Sequence, residues 1–175
     1  LSASLSLLPV SLQLPFYITK MNVLILGGVG FIGRNLVAYL VEQEKVASIK
    51  VLDKVLPVTA FLSEAHKAAF ENPKVKFQQA NLSSPKSIET HMATDSQWDL
   101  IVNLAAETKY GQTEEVYKEK VLDVCVKTAA EAAKLKVGVW IEVSTAQVYD
   151  ASKKPSTEDG KLKPWTKLAT YKLQA

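Results

Sequence analysis

The sequence predicts an α/β fold in which helices cover both faces of a parallel sheet. From Met21 onward, short apolar runs alternate with longer segments whose apolar residues recur at helical spacing. The first run, residues 22–26, is continuously apolar after Asn22 and ends in glycines, as expected of a strand buried on both faces. Strands that alternate with helices are joined by right-handed crossovers, so a parallel sheet between two helical layers is expected.

Local signals define the elements in order. Strands are predicted over residues 22–26, 49–52, 75–79, 100–104 and 139–143. Helices are predicted over residues 32–44, 61–71, 85–94, 114–135 and 165–175. Ser84 and Thr113 have the side chains and positions of N-caps. The residue before Pro73 disfavours helical backbone, which ends the second helix.

Composition favours a single globular domain, with 47% apolar and 22% charged residues among 175. The net charge of +3, from 21 basic and 18 acidic residues, is too small and too scattered for a nucleic-acid surface. Cys125 is the only cysteine, so it cannot form an internal disulfide, and no Cys/His cluster has metal-ligand spacing. We therefore expect a reducing, cytoplasmic location with neither a metal nor a nucleic-acid partner.

Residues 1–20 differ from the rest of the chain, being rich in Leu and Ser and uncharged before Lys20. They lack the basic start of a secretory signal, the arginines of a transit peptide and the roughly twenty apolar residues of a membrane helix. We expect them to be a leader or extension outside the fold, with the domain spanning residues 21–175 and no membrane partner. A cleaved targeting segment is the alternative, which leaves an organellar location open.

Three glycines join the first strand to the first helix. Gly27 lets the chain turn sharply, Gly30 lets backbone amides approach a diphosphate, and Gly33 lets helix and strand pack closely. The unpaired N–H groups of the helix N-terminus would then face the phosphates. This arrangement predicts a Rossmann-type, doubly wound sheet that binds a dinucleotide. A tight turn without a ligand is the alternative.

Asp53, at the end of the second predicted strand, indicates which dinucleotide is bound. A carboxylate at this position can accept hydrogen bonds from both ribose hydroxyls, and it repels the 2′-phosphate of NADP. These properties favour NAD. Arg34 and Lys54 lie close in sequence to the glycine motif and to Asp53, and either could pair with a phosphate, so NADP stays open.

Three short segments carry a resemblance to a known family. They are the glycine motif with Phe31 and Ile32 inside it, the run 104–106 (LAA) after the fourth strand, and the run 144–149 (STAQVY) after the fifth. From Met21 to Ala175 the chain resembles the extended short-chain dehydrogenase/reductase family, the NAD-dependent epimerases and dehydratases that act largely on nucleotide sugars. The resemblance covers only the cofactor-binding half, so a C-terminal substrate domain is expected beyond this sequence.

The resemblance implies a set of cofactor contacts. Phe31 and Ile32 belong to the cofactor-binding motif, and Asn81 followed by Leu82 stands beside the adenine, where the family usually has Asp before an aliphatic residue. The small side chains after the fourth strand would leave room for the nicotinamide ribose, although filling a sheet edge is an alternative role for them. These residues are Leu104, Ala105 and Ala106.

The resemblance also implies a catalytic set, from which this sequence departs. In the family a tyrosine transfers the proton, and a lysine four residues later holds the nicotinamide ribose and lowers the pKa of the tyrosine. Lys172 matches the lysine, but Leu168 stands at the tyrosine and has no proton to transfer. Tyr171 is an imperfect substitute, because adjacent residues point about a hundred degrees apart on a helix. Thr145 falls on the residue that binds the reacting oxygen of the substrate, with capping as its alternative role, and Lys120 replaces a usual asparagine.

Two classes of function follow from these observations. The first is an NAD(P)-dependent oxidoreductase, epimerase or dehydratase that transfers hydride to or from a sugar-nucleotide-like or other hydroxyl or carbonyl substrate, with an atypical proton donor. The second is a non-catalytic NAD(P)-binding sensor or structural subunit. Both require a dinucleotide cofactor, and both leave the substrate and a homodimer or larger assembly open.

Overall fold

A computed structural model describes residues 20–93, 97–151 and 157–175 of the chain. The prediction that residues 1–20 form a leader therefore concerns a segment that, apart from Lys20, lies outside the described residues. The first strand begins at Met21, whose N–H donates to the carbonyl of Lys45 at 2.7 Å. Within the described residues, no helix combines the length and the hydropathy needed to cross a membrane.

Five parallel strands form one sheet in the order β3-β2-β1-β4-β5. The strands are Met21–Leu26 (β1), Val46–Asp53 (β2), Val75–Gln79 (β3), Leu100–Asn103 (β4) and Val139–Glu142 (β5). The chain runs outward from β1 through β2 to β3, then returns to the other side of β1 to form β4. The strand order therefore reverses between β1 and β4, and ligands bind beyond the carboxyl ends of the strands at such a reversal.

Six α-helices accompany the sheet in the described part of the chain. They are Phe31–Val41 (α1), Glu64–Glu71 (α2), Pro85–Met92 (α3), Glu114–Tyr117 (α4), Val124–Lys134 (α5) and Lys167–Gln174 (α6). The predicted N-caps are confirmed, since the hydroxyl of Ser84 accepts from the N–H of Ser87 and that of Thr113 accepts from the N–H of Val116. The expected α/β fold is confirmed by the alternation of these helices with the strands.

The helix predicted over residues 61–71 was wrong at its start. Phe61 has a φ of +50°, in the left-handed region, so it does not belong to a right-handed helix. The helix begins instead after Ser63, whose hydroxyl accepts from the N–H of His66. Similarly, the last helix begins after the cap Thr166 rather than at Trp165, and α1 ends at Val41.

The long helix predicted over residues 114–135 is present but is not uniform. Between α4 and α5, residues Lys118–Asp123 form a π-helix, which has one more residue per hydrogen-bonded turn than an α-helix. The segment carries Lys120 and lies next to the carboxyl end of the sheet.

The core has one layer on each face of the sheet because alternate strand residues point to opposite faces. Val23 and Ile25 of β1 pack with residues of α1 and α2 such as Val37, Leu40 and Ala69. Leu24 and Leu26 pack on the other face with residues of α3 and α5 such as Ile88, Met92, Val124 and Ala132. The predicted three-layer arrangement is therefore confirmed.

Candidate functional site

A cleft of about 680 Å³ lies at the carboxyl ends of the central strands. It falls at the reversal between β1 and β4, and its volume is within the range of ligand sites. Ten residues predicted to bind a cofactor line it: Gly27, Gly30, Arg34, Asp53, Lys54, Asn81, Leu82, Leu104, Ala105 and Ala106. The fold therefore brings these residues together around one cavity, although they come from four separate segments at or after the carboxyl ends of β1, β2, β3 and β4.

The glycine turn has a geometry that side chains would disrupt. Gly27 has a φ of +77°, and a Cβ added to it would lie 2.8 Å from the Cα of Ala105. A Cβ added to Gly33 would lie 2.5 Å from the Cα of Gly28. Gly30 is less crowded, since its added Cβ would lie 3.2 Å from the carbonyl oxygen of Gly27. The turn thus keeps the first strand, the first helix and the β4 loop in close contact.

The N-terminus of α1 can receive an anion. Its N-cap is Gly30, which has no side chain to bond the first N–H groups, and the first turn contains no acidic residue. Those N–H groups lack intrahelical partners and carry partial positive charge. The side chains of Phe31 and Ile32 are exposed, and neither residue lines the cleft. These two residues therefore contribute backbone amides to the first turn of α1. An uncapped helix N-terminus of this kind can receive a phosphate group, so diphosphate binding here stays a prediction.

Asp53 has a structural role that the sequence analysis missed. Its carboxylate is buried at 8% exposure and accepts hydrogen bonds from the N–H of Val29 at 3.0 Å and the N–H of Val55 at 3.0 Å. It therefore ties the glycine turn to the loop after β2. Each carboxylate oxygen has a second lone pair, so the group can still accept from ribose hydroxyls in the cleft that it lines.

The remaining polar groups of the cleft are partly held by local bonds. The Nε of Arg34 donates to the carbonyl of Gly30 at 3.3 Å, which folds the guanidinium back on the turn. The Oδ1 of Asn81 accepts from the N–H of Ser83 at 3.0 Å, which shapes the loop after β3. Three charged residues not assigned to the cofactor from the sequence also line the cleft: Glu107, Glu119 and Lys120.

The candidate catalytic residues do not line this cleft. The hydroxyl of Thr145 accepts from the N–H of Gln147 at 3.3 Å and caps the short 3₁₀ segment Ala146–Val148, which is the alternative role considered for it. The Nζ of Lys172 donates to the Oε1 of Glu142 at 2.7 Å. Lys172 is therefore paired with a carboxylate of β5.

Tyr171 lies on another face of α6. Its ring stacks on that of Tyr117, with centroids 6.4 Å apart and planes 20° apart. The hydroxyl of Tyr117 in turn donates to the carbonyl of Lys109 at 2.7 Å. Lys172 points toward β5 and Tyr171 packs on α4, so neither of these adjacent residues lines the cleft.

Cys125 is not a nucleophile in this site. Burial, followed by the neighbouring Glu142 carboxylate, raises the pKa of its thiol to about 12. The thiol is therefore neutral near pH 7, and a neutral thiol is a weak nucleophile. No cluster of three or more potential metal ligands occurs among residues 20–93, 97–151 and 157–175.

A family model described as the NAD dependent epimerase/dehydratase family matches residues 23–174. The chain belongs to this family. The resemblance drawn from the glycine motif and the segments after β4 and β5 is therefore confirmed, and so is NAD as the cofactor characteristic of the family.

Several solved structures share the fold of this chain. ADP-L-glycero-D-manno-heptose-6-epimerase of Helicobacter pylori has a TM-score of 0.72 and 23% identity, covering 90% of this chain and 49% of that one. UDP-glucuronic acid 4-epimerase of Bacillus cereus, in complex with NAD, has a TM-score of 0.71 and 22% identity, covering 88% and 50%. The Bordetella bronchiseptica enzyme WbmG, in complex with NAD, has a TM-score of 0.74 and 19% identity, covering 92% and 49%.

The chain thus spans about half the length of the solved proteins that it resembles. At these identities the similarity shows the fold alone. No curated protein matches the sequence.

Proposed function

We propose that this chain binds NAD in the cleft between β1 and β4 and forms the cofactor-binding half of a protein that acts on a sugar nucleotide or a similar hydroxyl or carbonyl compound. The observation that carries the proposal is the glycine turn, which holds uncapped helix amides beside the buried Asp53 carboxylate. Bound NAD would supply a hydride acceptor at this edge of the sheet.

NAD is favoured over NADP by the position of Asp53. Its carboxylate accepts from two backbone N–H groups, and it lines the cleft at the carboxyl end of β2, next to Lys54. A 2′-phosphate at that end would meet this negative charge. The Nε of Arg34 donates to the carbonyl of Gly30, so one of its five N–H donors is committed to the turn.

A titration of NADH against NADPH, followed by cofactor fluorescence, tests the proposal. We expect saturable binding of NADH that is tighter than that of NADPH. The variant for comparison is Gly33→Ala, in which the added Cβ would lie 2.5 Å from the Cα of Gly28, and we expect it not to bind NADH. Failure of the folded wild-type protein to bind either dinucleotide would contradict the proposed function.

A non-catalytic NAD-binding protein is the second candidate function. It is favoured by Leu168 at the position of the proton donor, by the pairing of Lys172 with Glu142, and by the packing of Tyr171 on Tyr117. Turnover of nucleotide sugars by the full-length protein, with and without Leu168→Tyr, separates the two. Turnover by the wild type supports an enzyme with another proton donor, a gain with Leu168→Tyr supports a degenerate enzyme, and binding without turnover in either supports the non-catalytic function.

A further inference from the structure

Lys120 and Lys172 differ in what their ammonium groups contact. Both lie near the carboxyl ends of the strands, one on the π-helical segment and one on α6. The Lys172 side chain is 7% exposed and does not line the cleft, whereas the Lys120 side chain is 39% exposed and does. The difference bears on which lysine meets a bound dinucleotide.

Lys172 belongs to a chain of bonds within the protein. Its Nζ lies 2.7 Å from the Oε1 of Glu142, and the Oε2 of Glu142 accepts from the Nδ2 of Asn103 at 2.6 Å. The Oδ1 of Asn103 accepts from the N–H of Ala105 at 3.1 Å. A buried ammonium that left this carboxylate would leave an uncompensated charge behind, which is strongly unfavourable. The pair therefore fastens α6 to β5 and β4.

Lys120 is held much less firmly. Its Nζ lies 4.0 Å from the Oε2 of Glu107, which is longer than a hydrogen bond. A lysine has a flexible stem and three rotatable donors, so its ammonium can move to a nearby phosphate oxygen. The π-helix that carries Lys120 is a type of segment found frequently at functional sites.

The charges around Lys120 indicate why a cation is needed there. Glu107, Glu119 and Asp53 line the same cleft. A diphosphate entering the cleft would be repelled by these carboxylates. Lys120 offsets the charge of Glu107 and offers donors to the phosphate oxygens.

We propose that Lys120 is the cation that contacts the phosphates of the bound dinucleotide, and that Lys172 fastens α6 to the sheet instead of holding the nicotinamide ribose. The proposal rests on the proposed function, because it assumes that a dinucleotide occupies the cleft. It differs from the role that the resemblance implies for Lys172.

The test measures NADH affinity and thermal unfolding in three variants. Lys120→Gln is expected to weaken NADH about tenfold, the size of one lost charged hydrogen bond, and to weaken competition by ADP to the same extent. Competition by adenosine, which has no phosphate, is expected to be unchanged. Lys172→Gln is expected to lower the Tm while changing NADH affinity less than about twofold. The control is Lys118→Gln, which removes an exposed lysine of the same π-helix that does not line the cleft.

Outcomes of this test separate the inference from the proposed function. If the wild type binds NADH and Lys120→Gln binds it equally well, the inference is wrong and the proposed function stands. A tenfold loss in Lys172→Gln with an unchanged Tm would also overturn it. Should Lys172→Gln fail to fold, Lys172→Arg replaces it: this variant keeps the pair with Glu142, so unchanged NADH affinity supports the inference and a tenfold loss refutes it. No binding by the wild type would refute the proposed function, and the inference with it.

Discussion

The two sides of the sheet's carboxyl edge differ in how they are built. At β1 and β2 the cradle is made mostly of backbone, namely a glycine with positive φ and uncapped helix amides, and one side-chain carboxylate, that of Asp53, accepts from two of its N–H groups. At β5 and α6 the arrangement depends on side chains, and there Lys172 is paired with Glu142. A backbone cradle depends on where glycines stand, whereas a side-chain site can be redirected by one acidic residue.

The largest expected effect comes from filling the cradle. In Gly33→Ala the new Cβ would lie 2.5 Å from the Cα of Gly28 and 2.6 Å from the carbonyl oxygen of Gly27. We expect a loss of about 3 kcal/mol in the free energy of unfolding and no measurable NADH binding. Urea denaturation and fluorescence titration measure the two effects.

The matched control for this variant is Gly111→Ala. Unlike Gly33, Gly111 has a positive φ, +76°, but an added Cβ there would meet no atom within 4 Å. We expect a loss of about 1 kcal/mol from backbone conformation alone, with NADH binding retained. Equal losses of unfolding free energy in Gly33→Ala and Gly111→Ala would show that crowding in the glycine turn does not contribute to the loss.

The next effect concerns the ion pair at β5. Glu142→Ala leaves the buried Lys172 ammonium without its carboxylate, and we expect it to lower the free energy of unfolding by about 2 kcal/mol. Replacing both partners, in Glu142→Leu with Lys172→Met, is expected to cost less than the single change, because no unpaired charge remains. If the single and double variants are equally destabilised, the pair does not fasten α6.

A smaller effect on stability is expected at Asp53. Asp53→Asn keeps one acceptor oxygen, so one of the hydrogen bonds from Val29 and Val55 is lost, at a cost of about 1 kcal/mol. NADH affinity is expected to fall about tenfold while NADPH affinity falls less, because the repulsion of the 2′-phosphate is removed. Asp159→Asn, at an exposed position, is the control. If the affinities for NADH and NADPH fell by the same factor, the proposed role of Asp53 in preferring NAD over NADP would be contradicted.

The smallest expected effect is a pH dependence from Cys125. Its folded pKa of about 12 lies above its ordinary value of 9.0, so the unfolded thiol ionises first as the pH rises. The contribution to stability is complete below pH 9 and is lost progressively as the pH approaches 12. Urea denaturation at pH 8 and pH 10 is expected to show a larger decrease for the wild type than for Cys125→Ala. Identical decreases would exclude this contribution.

Much of the fold was predictable because it follows from local patterns. The apolar runs gave each strand within a few residues, and the hydroxyls of Ser84 and Thr113 marked helix starts. The π-helix was not predictable, since the apolar spacing around Lys120 fits an α-helix equally well. The left-handed backbone of Phe61 also has no sequence signal, because a phenylalanine rarely adopts it.

The cofactor side of the site could be predicted from the sequence, whereas the side-chain pairing at β5 could not. Glycines and Asp53 lie directly after strands, so topology alone brings them to one edge. The pairing of Lys172 with Glu142 joins residues 30 positions apart on two elements, and no spacing rule indicates it. The bonds from Val29 and Val55 to Asp53 were likewise visible only in the structure.

The most direct test of the central claim is the affinity of the folded wild-type protein for NADH, measured by fluorescence titration beside Gly33→Ala. We expect saturable binding by the wild type, tighter for NADH than for NADPH, and none by the variant. A folded wild type that shows no saturable signal with either dinucleotide would contradict the claim that the glycine turn and Asp53 form a cofactor site.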